Sequence, residues 1–122
     1  MDDRQLHHHG SDALAAVERF DKAFCARDVD AVMAAMTPDC VFEDTSPPDG
    51  GRHVGGDAVR RAWKALFAAS PDAAFTTEEI FAVGGHVVAR WRYDFAGGHV
   101  RGVDLFTVRD GLVAEKLSYV KG

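Results

Sequence analysis

Two carboxylates in apolar surroundings define the chemistry open to this chain. Asp104 lies in Val100-Arg101-Gly102-Val103-Asp104-Leu105-Phe106-Thr107-Val108, a run that reads as a strand. Side chains alternate across a strand, so Asp104 shares a face with Val100, Phe106 and Val108, while Val103 and Leu105 cover the other. A carboxylate there is costly unless it is paired, hydrogen-bonded or kept protonated. Asp44 ends a second apolar segment, Cys40-Val41-Phe42-Glu43-Asp44. If both acids project into one pocket, they form a general acid/base pair, and Asp104 acquires a raised pKa unless a cation reaches it. The alternatives are structural. Asp104 could be ion-paired with Lys116, Arg101 or Arg92, and Asp44 could open an Asx-type turn continued by Thr45-Ser46-Pro47.

His53, close to that loop, is either a polar pocket contact able to carry a proton or a solvated loop side chain. Phe42 is expected to face the pocket with Asp44. Phe20, Phe24, Trp63, Phe67, Trp91, Phe106 and Tyr119 are mainly core candidates, several of which would wall a pocket for a flat, apolar ligand. No Ser or Cys is placed beside a base as a nucleophile, and the glycine pairs lack the strand–loop–helix setting and the lysine of a phosphate loop. His7-His8-His9 has no nearby partner ligands, so neither a metal nor another cofactor is expected.

The elements that must position these groups follow from periodicity. Residues 1–11 read as a disordered leader. Asp12 then caps a helix bearing Ala13, Leu14, Val17, Phe20 and Phe24 at helical spacing, which ends near Arg27. Asp28 caps a short helix stopped by Thr37-Pro38. A strand over 40–44, a loop over 45–56 and a helix over 57–69 come next. Strands are predicted over 73–83, 86–95, 100–109 and 112–120, with Gly84-Gly85 and Asp110-Gly111 as hairpin turns. Helices first and a strand meander afterwards imply an α+β domain over 12–122, with three helices packed on one face of a curved antiparallel sheet.

Composition narrows the classes. The 122 residues are 47% hydrophobic and 27% charged, with a net charge of −5 and scattered basic residues. Nucleic-acid and anionic-membrane partners are therefore not expected, and no apolar run approaches a membrane span. Cys25 and Cys40 read as reduced thiols of a cytoplasmic protein. Strand 100–109 is apolar on both faces while the helices cover only one, which predicts a homodimer through the uncovered sheet face.

Four segments taken in order carry a resemblance. They are Phe20…Arg27-Asp28-Val29-Asp30-Ala31-Val32, Asp39-Cys40-Val41-Phe42-Glu43-Asp44, His53-Val54-Gly55-Gly56-Asp57-Ala58-Val59 and Gly102-Val103-Asp104-Leu105-Phe106-Thr107-Val108-Arg109-Asp110-Gly111-Leu112-Val113. Over residues 12–121 the chain resembles the nuclear transport factor 2-like superfamily, in particular its SnoaL-like and ketosteroid-isomerase-like members. The resemblance implies a cone-shaped α+β barrel around a deep apolar pocket. In the isomerases the position matching Asp44 is the general base, and the one matching Asp104 is a protonated acid that donates to the oxyanion. Their helix tyrosine is matched here by Phe20, which cannot donate. In SnoaL-like cyclases the acid/base aspartate lies close to Asp104. The resemblance also implies that Lys116, Ser118 and Val120 face the same way as Asp104, whereas simple alternation favours Val113, Leu117 and Tyr119. The function implied is binding of an apolar small molecule, with cofactor-free isomerase, cyclase or hydratase chemistry on a carbonyl or epoxide. A non-catalytic binding protein and a dimeric scaffold with a vestigial pocket are the alternatives.

Overall fold

The computed structural model describes the backbone of residues 3–122, with side chains from Asp12 onward. In chain order the elements are α1 (Asp3–Cys25), α2 (Val29–Ala34), β1 (Met36–Glu43), β2 (Arg52–Val54), α3 (Gly56–Ala69), β3 (Ala74–Val83), β4 (His86–Phe95), β5 (Gly98–Arg109) and β6 (Leu112–Val120). The helix expected to start after Asp12 is already running there, so Asp12 is no cap. The leader expected over 1–11, with its histidine tract, falls on residues whose side chains lie outside the described part, as does the whole of Met1 and Asp2. Asp28 does cap α2, its carboxylate accepting the Ala31 N–H at 3.1 Å.

One sheet of six strands runs in the order β2-β1-β6-β5-β4-β3. The helices pack on its concave face, giving the expected α+β architecture. Three expectations need correction. Residues 52–54, read as loop, form β2 and pair antiparallel with β1; three residues are too few to show alternation. The sheet is also not wholly antiparallel, because β1 runs parallel to β6. Thr37-Pro38 lies inside β1 rather than ending a helix. It falls in the stretch between Met36 and Val41 where pairing to β6 loses register, so the missing proline N–H breaks no ladder bond there. Asp110 and Gly111 both have positive φ, the conformation a two-residue hairpin turn requires.

The rows across the sheet explain what lies on each side. Facing inward are Ile80–Ala89–Asp104–Ser118 and Ala82–Val87–Phe106–Lys116; facing outward is Phe81–Val88–Leu105–Leu117. Inside, Val17, Phe20, Val59, Trp63, Val87, Phe106 and Val113 are buried to the last few per cent. Between its partners Val108 and Thr107, β6 carries Val113 and Glu115, which leaves Ala114 as the extra residue of a bulge. The bulge resets alternation. Val113 faces inward on the turn side, and Lys116 and Ser118 face inward beyond it, so of the residues simple alternation favours only Val113 is inside, while Leu117 and Tyr119 face outward. No described helix is long and apolar enough to cross a membrane.

Gly102 sits opposite Trp91 on β4 and Val120 on β6. A Cβ at this position would overlap the Trp91 ring and the Tyr119 carbonyl oxygen, a backbone atom that cannot step aside. Gly102→Ala is therefore expected to lower stability by about 1–3 kcal/mol, as overpacking does. Chemical denaturation followed by tryptophan fluorescence measures it, and an unchanged midpoint would show that Trp91 is not pinned there.

Candidate functional site

Between α1, the inner face of the sheet and Leu66 of α3 lies a cavity of about 110 Å³. Its walls are largely aromatic, from Phe20 and Phe24 on α1, Phe42 on β1, Phe75 on β3 and Trp91 on β4. The rings brace one another. Phe24 lies 5.2 Å from Phe75 and 5.9 Å from Phe20 between centroids, and Phe75 lies 5.6 Å from Trp91.

The polar end is assembled from three strands and a helix. Asp104 and Ser118 are direct cross-strand partners, and the Ser118 hydroxyl donates to Asp104 Oδ1 at 2.7 Å. Lys116 Nζ lies 3.4 Å from Asp104 Oδ2 and donates to Ser118 Oγ at 3.0 Å. Only 7% of Lys116 and 8% of Asp104 is exposed, so this ion pair sits inside the protein. The ammonium is also held over three ring faces, at 4.9 Å from Phe42, 5.4 Å from Phe24 and 5.5 Å from Trp63. Of the counter-ions the sequence offered for Asp104, Lys116 is the one present; Arg101 pairs with Glu78 and Arg92 with Asp94.

Sequence reasoning missed several cavity residues, among them Leu66, Phe75, Thr77 and, with most chemical consequence, Asp21. It follows Phe20 on α1, and Thr77 of β3 donates to its Oδ2 at 3.4 Å. Burial pushes its pKa from the ordinary 3.8 up to about 6, and the negative charge of Asp104 adds to the rise, against a smaller lowering by Lys116 and Thr77. The signal was present in the spacing. Val17, Asp21 and Phe24 stand at i, i+4 and i+7, so this acid lies on the apolar stripe and not on the solvent side.

Asp44 also lines the cavity, at its mouth, but its bonds are those of a loop anchor. Oδ1 accepts the Ser46 N–H at 2.9 Å, the Ser46 hydroxyl at 2.6 Å and the Gly51 N–H at 2.7 Å. Oδ2 meets His53 Nε2 at 3.0 Å. Burial alone would raise this carboxyl, yet the hydrogen bonds from Ser46, Gly51 and His53 outweigh it and hold the group far below the usual carboxylate range. Glu43 points away and pairs with Arg52.

The structure thus brings Asp44, Asp104, Phe20, Phe24, Phe42, Trp91 and Lys116 around one cavity. Five other candidates lie elsewhere. His53 stacks on Phe42 and lines a shallow recess outside the mouth, where Asp44 draws it. Trp63 and Phe106 lie in the layer behind the walls, packed on Phe42 at 4.2 Å and Phe20 at 5.6 Å respectively. Phe67 turns to a separate recess under the Arg27 guanidinium, because Leu66 takes the cavity-facing position on α3. Tyr119 is on the outer face and 53% exposed, since the bulge at Ala114 gives the inner face to Lys116 and Ser118. Among the described residues no group of three or more His, Cys, Asp or Glu side chains could hold a metal ion.

Comparison with known proteins places this geometry in context. Residues 17–116 match the SnoaL-like domain family. Among curated proteins no sequence matches the chain. An NTF2-like protein of unknown function from Mesorhizobium loti is 39% identical, with a TM-score of 0.83, covering 100% of this chain and 97% of the other. A provisionally assigned polyketide cyclase from Sinorhizobium meliloti is 28% identical, with a TM-score of 0.75 and coverage of 84% and 92%. An LEH-like epoxide hydrolase from M. tuberculosis is 25% identical, with a TM-score of 0.68 and coverage of 92% and 84%.

The raised pKa of Asp21 fixes a pH dependence of stability. The unfolded chain releases this proton near 3.8 and the folded chain near 6, so the folded state holds more protons between those values. Stability therefore falls as the pH climbs from about 4 to about 6, by roughly 3 kcal/mol at most, and stays lower above that window. Asp21→Asn is expected to remove this slope and to raise stability at neutral pH. Urea denaturation of both proteins across the window tests it; a slope that survives the substitution belongs to another group.

Proposed function

The chain belongs to the SnoaL-like domain family, and from that premise we propose that its cavity binds a small apolar molecule bearing a carbonyl or epoxide oxygen and acts on it by proton transfer without a cofactor. The observation that carries this reading is Asp21, a carboxyl held near neutrality that faces the buried Asp104–Lys116–Ser118 cluster across an aromatic-walled space. A group that exchanges its proton near the working pH is the most effective general base or acid. Asp21 removes or returns the proton. The Lys116 ammonium stabilises negative charge developing on the substrate oxygen. Asp104 holds Lys116 and Ser118 in place and is their counter-charge. Asp44, its lone pairs taken by Ser46, Gly51 and His53, shapes the mouth and is too weak a base for the chemical step.

The relatives whose printed names state an activity support small-molecule chemistry on this fold, since one is a provisionally assigned polyketide cyclase and another an epoxide hydrolase. A second reading, binding without turnover, is favoured by one feature: the Ser118 proton is committed to Asp104, and Lys116 already serves Ser118 and Asp104. A panel of carbonyl and epoxide compounds followed for product separates the two. Turnover is expected to rise with pH through about 6 and then level off, as Asp21 ionises. Asp21→Asn should reduce it by on the order of 10²–10⁴. Full turnover in that variant would remove Asp21 from the chemistry, and ligands bound but never altered would leave a binding protein.

The outward row Phe81–Val88–Leu105–Leu117 supports a homodimer through the sheet face. Around it Glu79 pairs with Arg90 and Glu78 with Arg101, which lowers the cost of covering those charges with a second copy. A two-fold contact should bury about 1,200 Å² or more. Sedimentation should find a dimer at micromolar concentration and a monomer for Leu105→Glu. A monomeric parent protein would sink this assembly.

A further inference from the structure

The charges lining the cavity do not balance. Three carboxylates, Asp21, Asp44 and Asp104, stand against one ammonium, Lys116. The acids come from α1, from the residue after β1 and from β5, so the fold assembles the imbalance around an aromatic-walled space. Asp104 and Lys116 lie 3.4 Å apart and largely cancel one another at a distance, and Ser118 completes that pair. Asp21 has no such counter-ion among the described residues; its hydrogen bond is the long one from Thr77, at 3.4 Å.

At the Asp21 carboxyl the charge of Asp104 acts more strongly than that of Lys116, so the field left there by the pair is negative. The other groups around it do not reverse the sign. Glu18 on the same helix adds negative charge, burial keeps the Cys25 thiol protonated, and Leu66 of α3 and Phe75 of β3 carry no charge. At the mouth Asp44 stays ionised through the neutral and mildly acid range. A cation is therefore attracted along the whole approach.

The walls suit a cation as well. Lys116 occupies ring faces of Phe24, Phe42 and Trp63, and among the described residues no cation lies over the lining rings of Phe20, Phe75 or Trp91. Asp21 already loses much of its water on folding, so an incoming ammonium adds only its own desolvation and offsets part of the first. A carboxylate ligand would deepen the negative charge, and an uncharged one would leave Asp21 without a counter-ion.

We infer that the cavity binds an apolar primary amine as its ammonium ion, with Asp21 as the counter-ion and the rings of Phe20, Phe75 and Trp91 against the apolar body. This ligand class lies beyond the carbonyl and epoxide compounds proposed above, and its binding requires no turnover.

NMR titration of the whole protein with cyclohexylammonium, cyclohexanol and cyclohexanecarboxylate tests this. Salt at about 0.15 M screens the general attraction of a chain of net charge −5. At pH 7.5 cyclohexylammonium should bind saturably, shift the resonances of the cavity phenylalanines, and bind at least about tenfold more tightly than the alcohol or the carboxylate. Alkylammonium ions keep their charge up to a pH of about 10, so any loss of affinity in acid reports on the protein. Asp21 takes up its proton at about 6, so at pH 5 the amine should bind about tenfold more weakly while the alcohol is unchanged. Asp21→Asn should bring the amine down to the level of the alcohol and remove the pH effect. Equal binding of amine and alcohol at pH 7.5, carboxylate binding as tight as the amine's, or a preference for the amine that survives Asp21→Asn overturns the assignment. So does a pH effect that survives that substitution, which would belong to His53 beside Asp44. Carbonyl or epoxide turnover abolished by Asp21→Asn, with no selective amine binding, would keep the proton-transfer reading and remove the amine. Selective amine binding with no compound turned over would do the reverse.

Discussion

An ammonium group taken out of water must be given back most of what it loses, and the interior of this protein is arranged around doing that for Lys116. Removing either member of a buried pair leaves the other charged and unsolvated, a cost on the order of 3–5 kcal/mol. Here the compensation comes from Asp104 at 3.4 Å, from Ser118 and from three aromatic faces. Those partners come from α1, β1, α3, β5 and β6. The bulge that turns Lys116 inward, the stacked phenylalanines of α1 and the placement of Trp63 under Phe42 all answer to the same requirement. Burial at the same end lifts the Asp21 pKa, with the Asp104 charge adding to the rise and Lys116 opposing it.

The mouth of the cavity obeys a separate constraint. The loop between β1 and β2 has few apolar side chains to bury, so its shape rests on the Asp44 carboxylate, which gathers donors from Ser46, Gly51 and His53. Side chains at Gly50 or Gly51 would collide with Asp44 itself. A carboxylate so fully engaged makes a good strut and a poor base. Two acids that look equivalent in a sequence therefore differ in kind: one is fixed by its donors, while Asp21, with one long hydrogen bond from Thr77, remains free to exchange its proton.

The sequence carried most of the fold and part of the site. The four long strands and their turns were legible because Gly84-Gly85 and Asp110-Gly111 punctuate them, and the inward direction of Asp104 followed from simple alternation. β2 was not legible, because three residues are too few to establish a period. The parallel pairing of β1 with β6 joins segments about seventy residues apart and leaves no local trace. Asp21 was passed over because a charged residue on a helix usually faces water, although its spacing from Val17 and Phe24 said otherwise. Tyr119 was placed inside by an alternation that the bulge had already reset. In both cases the local rule was sound and a neighbouring element overrode it.

The bulge at Ala114 has a wider meaning. The pairing of β6 with β5 and with β1 changes register at the same place, so the irregularities on its two sides coincide. The strand is in effect read in two frames. The turn-side frame, with Val113 bound to the Ala35 carbonyl, belongs to the packing of the small helices. The far frame, with Lys116 and Ser118, belongs to the cavity. A chain one residue shorter at Ala114 would keep both sets facing inward, because the residue lost is the one that no partner counts. Length can therefore drift at this seam without touching the chemistry beyond it, whereas the same deletion two residues later would exchange the two faces of the strand.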